Sequence, residues 1–193
     1  MSALLSLAVF SGLALNLVLQ FASGIRGTAV REDSSLPVFQ LIILLVSTVF
    51  LWFFFHFILD PLGMGFFEYP LLFPLSALVC FGLESLCLII VPLIGPVPRP
   101  LNPLTSYNGL ALAAAFITIE LAVSVAEALA LSLGFSLGVF VSLLLLKEIR
   151  IRSYLETVPP FLRGGPLALI SMGLLSLVFF SAAAVCFRLL GVY

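Results

Sequence analysis

The stretch that decides the fold is Pro103-Leu-Thr-Ser-Tyr-Asn-Gly-Leu-Ala-Leu-Ala-Ala-Ala115, a polar opening followed at once by small apolar residues. Pro103 suits the first turn of a helix, where a missing N–H costs nothing. Thr105, Ser106 and Asn108 can accept hydrogen bonds from the first N–H groups of that helix, which hydrocarbon would leave unpaired. The stretch therefore predicts a helix that begins inside a membrane.

A matching pattern lies near the N-terminus, where Asn16-Leu-Val-Leu19 corresponds to Asn108-Gly-Leu-Ala-Leu112. The two asparagines precede apolar runs in corresponding places of the two halves of the chain. This symmetry is typical of an internal repeat whose interrupted helices meet at mid-membrane. We therefore predict a single transmembrane domain over residues 1–193, with repeat 1 over about 1–98 and repeat 2 over about 99–193.

The composition is that of an integral membrane protein. Of the 193 residues, 63% are hydrophobic and 9% are charged, and the mean hydropathy is +1.32. A soluble domain has an apolar fraction near one half and a charged fraction of about a quarter. The composition thus excludes a soluble globular protein, and nothing in it indicates nucleic-acid binding.

Six apolar segments approach the length of about 20 residues that a helix needs to cross a bilayer. The fourth is the shortest, as expected for an interrupted helix. The sequence therefore predicts an all-α integral membrane protein with six transmembrane helices, arranged as two inverted three-helix repeats with helices 1 and 4 interrupted. The predicted spans are Ala3–Ala22, Val38–Ile58, Leu71–Leu93, Leu104–Ile119, Val125–Leu146 and Pro166–Phe187.

The positions of the basic residues predict the orientation. With six spans, the first, third and fifth connectors lie on one side of the membrane, and all but one of the eight Lys and Arg residues fall there. By the positive-inside rule that side is cytoplasmic, so both termini face outward. These residues are Arg26, Arg31, Arg99, Lys147, Arg150, Arg152 and Arg163, with Arg188 on the other side.

Glu84 stands in the middle of the third apolar segment, where a carboxylate is costly unless it is protonated, paired or hydrated. Cys80, Glu84 and Cys87 recur at helical spacing, so they share one face, which we expect to point into the bundle. Two interpretations are open, a step in a proton or cation path and a neutral, hydrogen-bonded packing residue. The predicted ion path, or mid-membrane polar site, consists of Asn16, Gln20, Glu84 and Asn108.

Other polar and small residues have weaker patterns. Glu120 and Glu127 lie near the outer ends of the fourth and fifth spans, where we expect solvated or interfacial positions. His56, within Trp52-Phe-Phe-Phe-His-Phe57, is expected in an aromatic belt at the outer interface, with proton transfer as the alternative. Gly134-Phe-Ser-Leu-Gly138 is a GxxxG pattern, which predicts a close helix approach within the protein or against a partner.

No nucleophile–base pair, Gly-rich phosphate loop or cluster of metal-ligand residues occurs in the sequence. Catalytic residues and a metal site are therefore not predicted, and the chain is interpreted as non-catalytic.

Five stretches in the last third of the chain carry a family resemblance. They are Gly134-Phe-Ser-Leu137, Lys147-Glu-Ile-Arg150, Val158-Pro-Pro-Phe-Leu-Arg-Gly164, Leu167-Ala-Leu-Ile170 and Gly173-Leu-Leu-Ser-Leu177. The likeness also includes Asn16-Leu-Val-Leu19 with Gly24, Glu84, and Pro103-Leu104 with Asn108. In order and spacing the five stretches resemble the fifth helix, cytoplasmic loop and sixth helix of the RnfA/NqrE branch of the paired six-helix membrane subunits of Rnf and Na+-translocating NADH:quinone reductase complexes.

The resemblance implies a multi-pass subunit of a bacterial ion-translocating electron-transport complex in the inner membrane, which frames the ion path with a sister subunit of the same inverted fold. That family shares an iron–sulfur cluster between the two subunits. The positions that match its ligating cysteines here are Arg26 and Gly109, neither of which supplies a thiolate. We therefore expect this chain alone to bind no cofactor.

Alternatives remain for Arg26 and for the function. Arg26 either neutralises an acidic partner such as Glu84, or pairs with the C-terminal carbonyl groups of the interrupted helix, or lies at the cytoplasmic interface with its side chain reaching outward. The alternative function is a stand-alone inverted-repeat transporter or channel for a cation or small solute. A structural subunit without a transport role is a third interpretation.

Overall fold

The computed structural model describes residues 2–16, 36–63, 65–94, 109–155 and 165–191. Within these ranges the secondary structure is helical and contains no strand. Two of the helices end in a π-helical turn, and a short 3₁₀ turn at Gly65–Phe67 precedes the third. The helices are α1 (Ser2–Val9, then a π turn at Phe10–Ala14), α2 (Leu36–Phe54, then a π turn at Phe55–Leu59), α3 (Glu68–Ile94), α4 (Gly109–Leu121), α5 (Val125–Leu155) and α6 (Gly165–Leu189).

Three helices are long and apolar enough to cross a bilayer, over Leu41–Leu59, Val125–Ile149 and Leu169–Leu189. The other three contain shorter apolar segments, at Ala3–Ala14, Tyr69–Leu83 and Gly109–Leu121. The chain is therefore a multi-pass helical membrane protein, as predicted. The arrangement of six complete spans in two inverted repeats stays a prediction.

Helix boundaries differ from the predicted spans in three places. The first described helix ends at Ala14 and the fourth begins at Gly109, while Pro103–Asn108 and the rest of the predicted first span beyond Asn16 lie outside the described residues. The fifth helix is longer than the predicted span, since α5 continues beyond the predicted end at Leu146 to Leu155. Its charged extension contains an i,i+4 pair, in which Arg152 Nε lies 2.9 Å from Glu148 Oε1, and such pairs support an exposed helix.

Helix α5 lies at the centre of the described bundle. It packs against α1 and its π turn, against α2 and α4, and against α6. Phe135 and Leu131 of α5 are buried in the core, as are Leu51 of α2 and Ala114 of α4. By contrast α6 exposes large apolar side chains, among them Leu174 and others along its outer face, as a lipid-facing helix does.

Small polar side chains line the interior of the bundle. Ser47 and Thr48 of α2 and Ser132 and Ser136 of α5 are all buried. Their hydroxyl groups donate to backbone carbonyl oxygens three or four residues earlier in the same helix. These local bonds satisfy the hydroxyls without water, so the helices can pack closely in a membrane.

Candidate functional site

The first helix ends inside the bundle at a buried asparagine. Its last turn is π-helical, closed by the Leu15 N–H, which donates to the Phe10 carbonyl oxygen at 2.9 Å. Leu15 then leaves the helical conformation, and Asn16 follows with only 3% of its surface exposed. Because π turns are frequent at functional sites, this end of α1 is the primary candidate.

The side-chain nitrogen of Asn16 is held by two elements. Asn16 Nδ2 lies 3.0 Å from the Gly138 carbonyl oxygen and 2.6 Å from Ser142 Oγ, both on α5, and 3.3 Å from the Gly12 carbonyl oxygen. The two carbonyl oxygens can only accept hydrogen bonds, which fixes the amide with its nitrogen toward them. The side chain therefore joins the end of α1 to the middle of α5.

The oxygen of the same amide has no hydrogen-bond partner among the described residues, although it is buried. A buried polar atom without a partner costs about 1–3 kcal/mol. Asn16 Oδ1 is therefore available to a hydrogen-bond donor or, as a hard oxygen ligand, to a cation. The sequence predicted Asn16 as part of a mid-membrane polar site, and this assignment stays a prediction.

Glycine residues bring α1 and α5 together at this point. A Cβ atom on Gly12 would lie 2.8 Å from the Gly134 carbonyl oxygen. A Cβ atom on Gly134 would overlap Ser11 Oγ and the Ala8 carbonyl oxygen, and one on Gly138 would overlap the Gly12 carbonyl oxygen. The close approach predicted from the GxxxG pattern thus occurs within this chain, between α5 and α1.

Among the described residues, no contact joins Asn16 to the other members of the predicted polar site. Glu84 belongs to α3, but its side chain lies outside the described part, as do Gln20, Arg26 and Asn108. Ser142 completes the Asn16 site and was missed in the sequence. The signal that points to it is its position four residues after Gly138, on the same face of α5.

A second polar site lies where α2 and α4 end. The π turn of α2 contains His56, whose ring stacks on Trp52 with centroids 4.9 Å apart. His56 Nδ1 lies 2.9 Å from Asp60 Oδ2. The Trp52 indole N–H donates to the Ala122 carbonyl oxygen at 2.9 Å, which ties α2 to the short turn between α4 and α5.

Glu120 of α4 faces this second site from the opposite side. Its Oε1 accepts a hydrogen bond from the Tyr69 hydroxyl at 2.7 Å. His56 and Glu120 were predicted at separate positions, and Asp60 was not predicted as a site residue, although its i+4 position from His56 is a usable signal. These side chains surround a pocket of about 200 Å³ lined by Trp52, Phe55, His56, Asp60, Ile119 and Glu120.

Glu127 has a structural role in the capping of α5. Its backbone N–H donates to Ser124 Oγ at 3.3 Å, and its Oε2 accepts from the Ser124 N–H at 3.3 Å and the Val123 N–H at 3.0 Å. This reciprocal arrangement is a capping box, which satisfies N–H groups that the first turn leaves unpaired. Capping therefore accounts for Glu127 at the start of an apolar helix, and no role in an ion path is needed to explain it.

The described residues do not fit the iron–sulfur cluster that the resemblance implies. Gly109, at one of the ligand positions, is the exposed first residue of α4 and has no side chain that binds iron. Cys80 is buried on α3, and Cys186 lies on α6. Within the described ranges no three His, Cys, Asp or Glu side chains are grouped to hold a metal ion.

These features define a multi-pass helical membrane protein whose first helix ends at a buried polar site. No protein-family model matches the sequence. The chain is similar to the RnfA subunit of the ion-translocating oxidoreductase complex of Buchnera aphidicola subsp. Schizaphis graminum (strain Sg), with 27% identity over 140 residues that cover 71% of each protein. The chain is thus a distant relative of the RnfA/NqrE family.

Proposed function

We propose that this protein is a membrane subunit of a bacterial ion-translocating electron-transport complex of the Rnf/Nqr type, in which it frames the ion path together with a sister subunit. The similarity to the RnfA subunit of such a complex supports the assignment to a complex. The observation that carries the ion-path role is the buried, unpaired Oδ1 of Asn16 at the interrupted end of α1.

An ion at mid-membrane needs protein oxygen atoms or water in place of its bulk hydration. Interrupted helices supply such oxygen atoms from side chains and from unwound backbone. Asn16 contributes one, and its amide nitrogen is already occupied by Gly138 and Ser142, so the oxygen is held in a fixed direction. We propose that Gln20, Glu84 and Asn108 provide the remaining polar groups of the path.

The contacts between helices support the inverted repeat. Exchange of the two halves replaces α1 by α4, α2 by α5 and α3 by α6. Under this exchange the contact of α1 with α5 corresponds to that of α4 with α2, and the contact of α1 with α6 to that of α4 with α3. The α2–α3 and α5–α6 contacts correspond in the same way, and all of these pairs occur. Three spans per half require inverted topology for such a repeat.

The orientation in this proposal has both termini outside and the basic segment 147–163 in the cytoplasm of a bacterial inner membrane. The support is the concentration of Lys and Arg residues in the connectors on one side. In this orientation the Asn16 site lies within the membrane, whereas the His56 pocket lies at the outer end of the bundle.

The cofactor proposal is that this chain supplies no ligand to an iron–sulfur cluster. Arg26 and Gly109 stand at the family's ligand positions, and neither has a thiolate. Arg26 would instead pair with a carboxylate or lie at the interface. In this proposal the chain contributes ion-path geometry, and the electron carriers belong to other subunits.

The test is affinity purification of the tagged chain from its native membrane in a mild detergent under anaerobic conditions. A sister membrane subunit and flavin- and iron-containing partners are expected to co-purify. Purification of the chain alone, together with cation or solute uptake after reconstitution, would instead favour the stand-alone transporter. An iron signal that disappears in Cys80→Ser would show that this chain does ligate a cluster.

A further inference from the structure

The pocket at the ends of α2 and α4 carries negative charge toward the membrane surface. Two of its lining residues, Asp60 and Glu120, are carboxylates, and His56 is the only basic group among the residues that line it. In the described part of the chain the ion pairs are His56 with Asp60 and Arg152 with Glu148, so no Lys or Arg there neutralises Glu120. The pocket is therefore complementary to a cation.

The two carboxylates retain hydrogen-bonding capacity. Asp60 Oδ2 accepts from His56, and Glu120 Oε1 accepts from Tyr69. A carboxylate offers about four acceptor positions, so each keeps several for a further donor. The Asp60 side chain is 61% exposed and that of His56 is 45% exposed, which leaves the pocket open to a ligand from the interface.

An apolar groove of about 450 Å³ runs along the same helix toward its middle. It follows α2 over about 12 Å at the usual helical rise of 1.5 Å per residue. Phe53 in the groove packs edge-on against Trp52 in the pocket, with ring centroids 5.5 Å apart, so adjacent aromatic rings of α2 line the two cavities. The groove is lined by Leu45, Val46, Val49, Phe50, Phe53 and Leu129.

Together these cavities match a ligand with a cationic head and an apolar tail. We propose that they bind a phospholipid with a primary ammonium headgroup, phosphatidylethanolamine, with the ammonium between Asp60 and Glu120 and an acyl chain in the groove along α2. A primary ammonium has three N–H donors for the two carboxylates. A quaternary ammonium has no N–H donor, and an anionic headgroup is repelled by the carboxylates.

The surroundings of the pocket agree with a position at the membrane–water interface. Phe57, Phe66, Phe67 and Tyr69 are all exposed around the ends of α2 and α3. Aromatic side chains concentrate at the level of lipid headgroups. The lipid site is separate from the proposed ion path, because neither Asn16 nor its partners Gly138 and Ser142 line the pocket or the groove.

The test compares lipid retention by the purified chain. The protein is exchanged into mixed micelles that contain equal amounts of phosphatidylethanolamine, phosphatidylcholine and phosphatidylglycerol with matched acyl chains, and retained lipids are counted by native mass spectrometry. We expect about tenfold enrichment of phosphatidylethanolamine over each of the other two lipids, because its ammonium group can form charge-assisted hydrogen bonds with the two carboxylates. Equal retention of the three lipids would overturn the proposal.

Variants separate the headgroup from the groove. The double variant Asp60→Asn, Glu120→Gln should lose the headgroup preference, whereas Glu148→Gln, at an exposed carboxylate on α5, should keep it. Val49→Trp fills the groove and should lower retention of all three lipids, whereas Leu174→Trp on the outer face of α6 should not.

A preference for phosphatidylethanolamine that survives the double variant would contradict the proposed headgroup site. Free ethanolamine that displaces the lipid from wild type and binds Val49→Trp equally well would identify a soluble amine as the ligand and overturn the lipid assignment.

Discussion

Asn16 Nδ2 and Ser142 Oγ lie 2.6 Å apart although 126 positions separate them in the sequence. The contact joins the end of α1 to the middle of α5, and the glycine residues beside it let the two backbones approach closely. Variants at this junction therefore separate its structural role from the proposed role of Asn16 in ion movement.

Gly134→Ala should destabilise the protein by about 1–3 kcal/mol, since the added Cβ overlaps Ser11 Oγ and the Ala8 carbonyl oxygen. Its matched control is Gly173→Ala on α6, where a Cβ meets nothing within 4 Å. The control should be neutral or slightly stabilising, because alanine favours helix more than glycine. Thermal unfolding in detergent, followed by circular dichroism, measures both. Equal stability of the two variants would contradict the α1–α5 packing.

Asn16→Ala and Ser142→Ala both remove the hydrogen bond between these residues, but only the first removes the unpaired Oδ1. Ser142→Ala removes one interhelical hydrogen bond and should lower the free energy of unfolding by about 0.6 kcal/mol, with an upper value near 1.7. Ion transport by the assembled complex in proteoliposomes should fall strongly in Asn16→Ala and much less in Ser142→Ala. If both variants transport equally, Asn16 is a packing residue and the ion-path proposal loses its main support.

Much of this architecture is visible in the sequence, for reasons that concern the bilayer. A membrane helix must be apolar along its length, so the helices can be recognised from composition, and a polar residue such as Asn16 inside an apolar run is conspicuous. The GxxxG pattern likewise indicates close packing. The spacing cannot identify the partner helix, because several apolar helices present similar small residues. Only the register of α1 on α5 places Gly12 at Gly138.

The two π turns had no usable sequence signal. Phe10–Ala14 and Phe55–Leu59 consist mostly of residues that would also suit an uninterrupted α-helix. The first π turn packs closely against α5 at Gly12, and in the second His56 stacks on Trp52 one turn earlier in the same helix. The pocket between His56 and Glu120 could not be predicted from the sequence either, since these residues belong to helices that are distant in sequence.

A cysteine introduced at Ser153 tests the proposed orientation. Ser153 belongs to the last turns of α5, beyond the candidate membrane span that ends at Ile149. In intact cells an impermeant thiol reagent should not label Ser153→Cys from outside, and labelling should appear after permeabilisation. A cysteine at Leu62, in the exposed turn at the opposite end of the bundle, is the control and should label from outside. Labelling of Ser153→Cys in intact cells would reverse the topology.

Trp52→Phe should weaken the attachment of α2 to the turn between α4 and α5. It removes the indole N–H that donates to the Ala122 carbonyl oxygen at 2.9 Å but keeps an aromatic ring. A loss of about 0.5–1.5 kcal/mol is expected for this hydrogen bond, and more if the carbonyl stays unpaired. Phe57→Leu, at an exposed ring of the same aromatic group, is the control. Unfolding followed by circular dichroism avoids the loss of the only tryptophan signal. A larger effect of the control would contradict the role of the indole N–H.

Glu127→Ala should lower stability without changing ion transport per assembled complex. Glu127 Oε2 accepts the Ser124 and Val123 N–H groups, so its loss uncaps the start of α5 and should cost about 0.5–2 kcal/mol. Ser124→Ala removes the other half of the capping box and should have a similar effect, since its hydroxyl accepts the Glu127 N–H. The double variant should lose less stability than the sum of the two single variants, because both act on one capping arrangement.

Thermal unfolding of the purified protein measures the stability of these variants. Ion uptake by proteoliposomes, normalised to the amount of assembled complex, measures transport. If Glu127→Ala abolishes uptake in stable, fully assembled protein while Ser124→Ala does not, Glu127 belongs to the ion path and its role is more than capping.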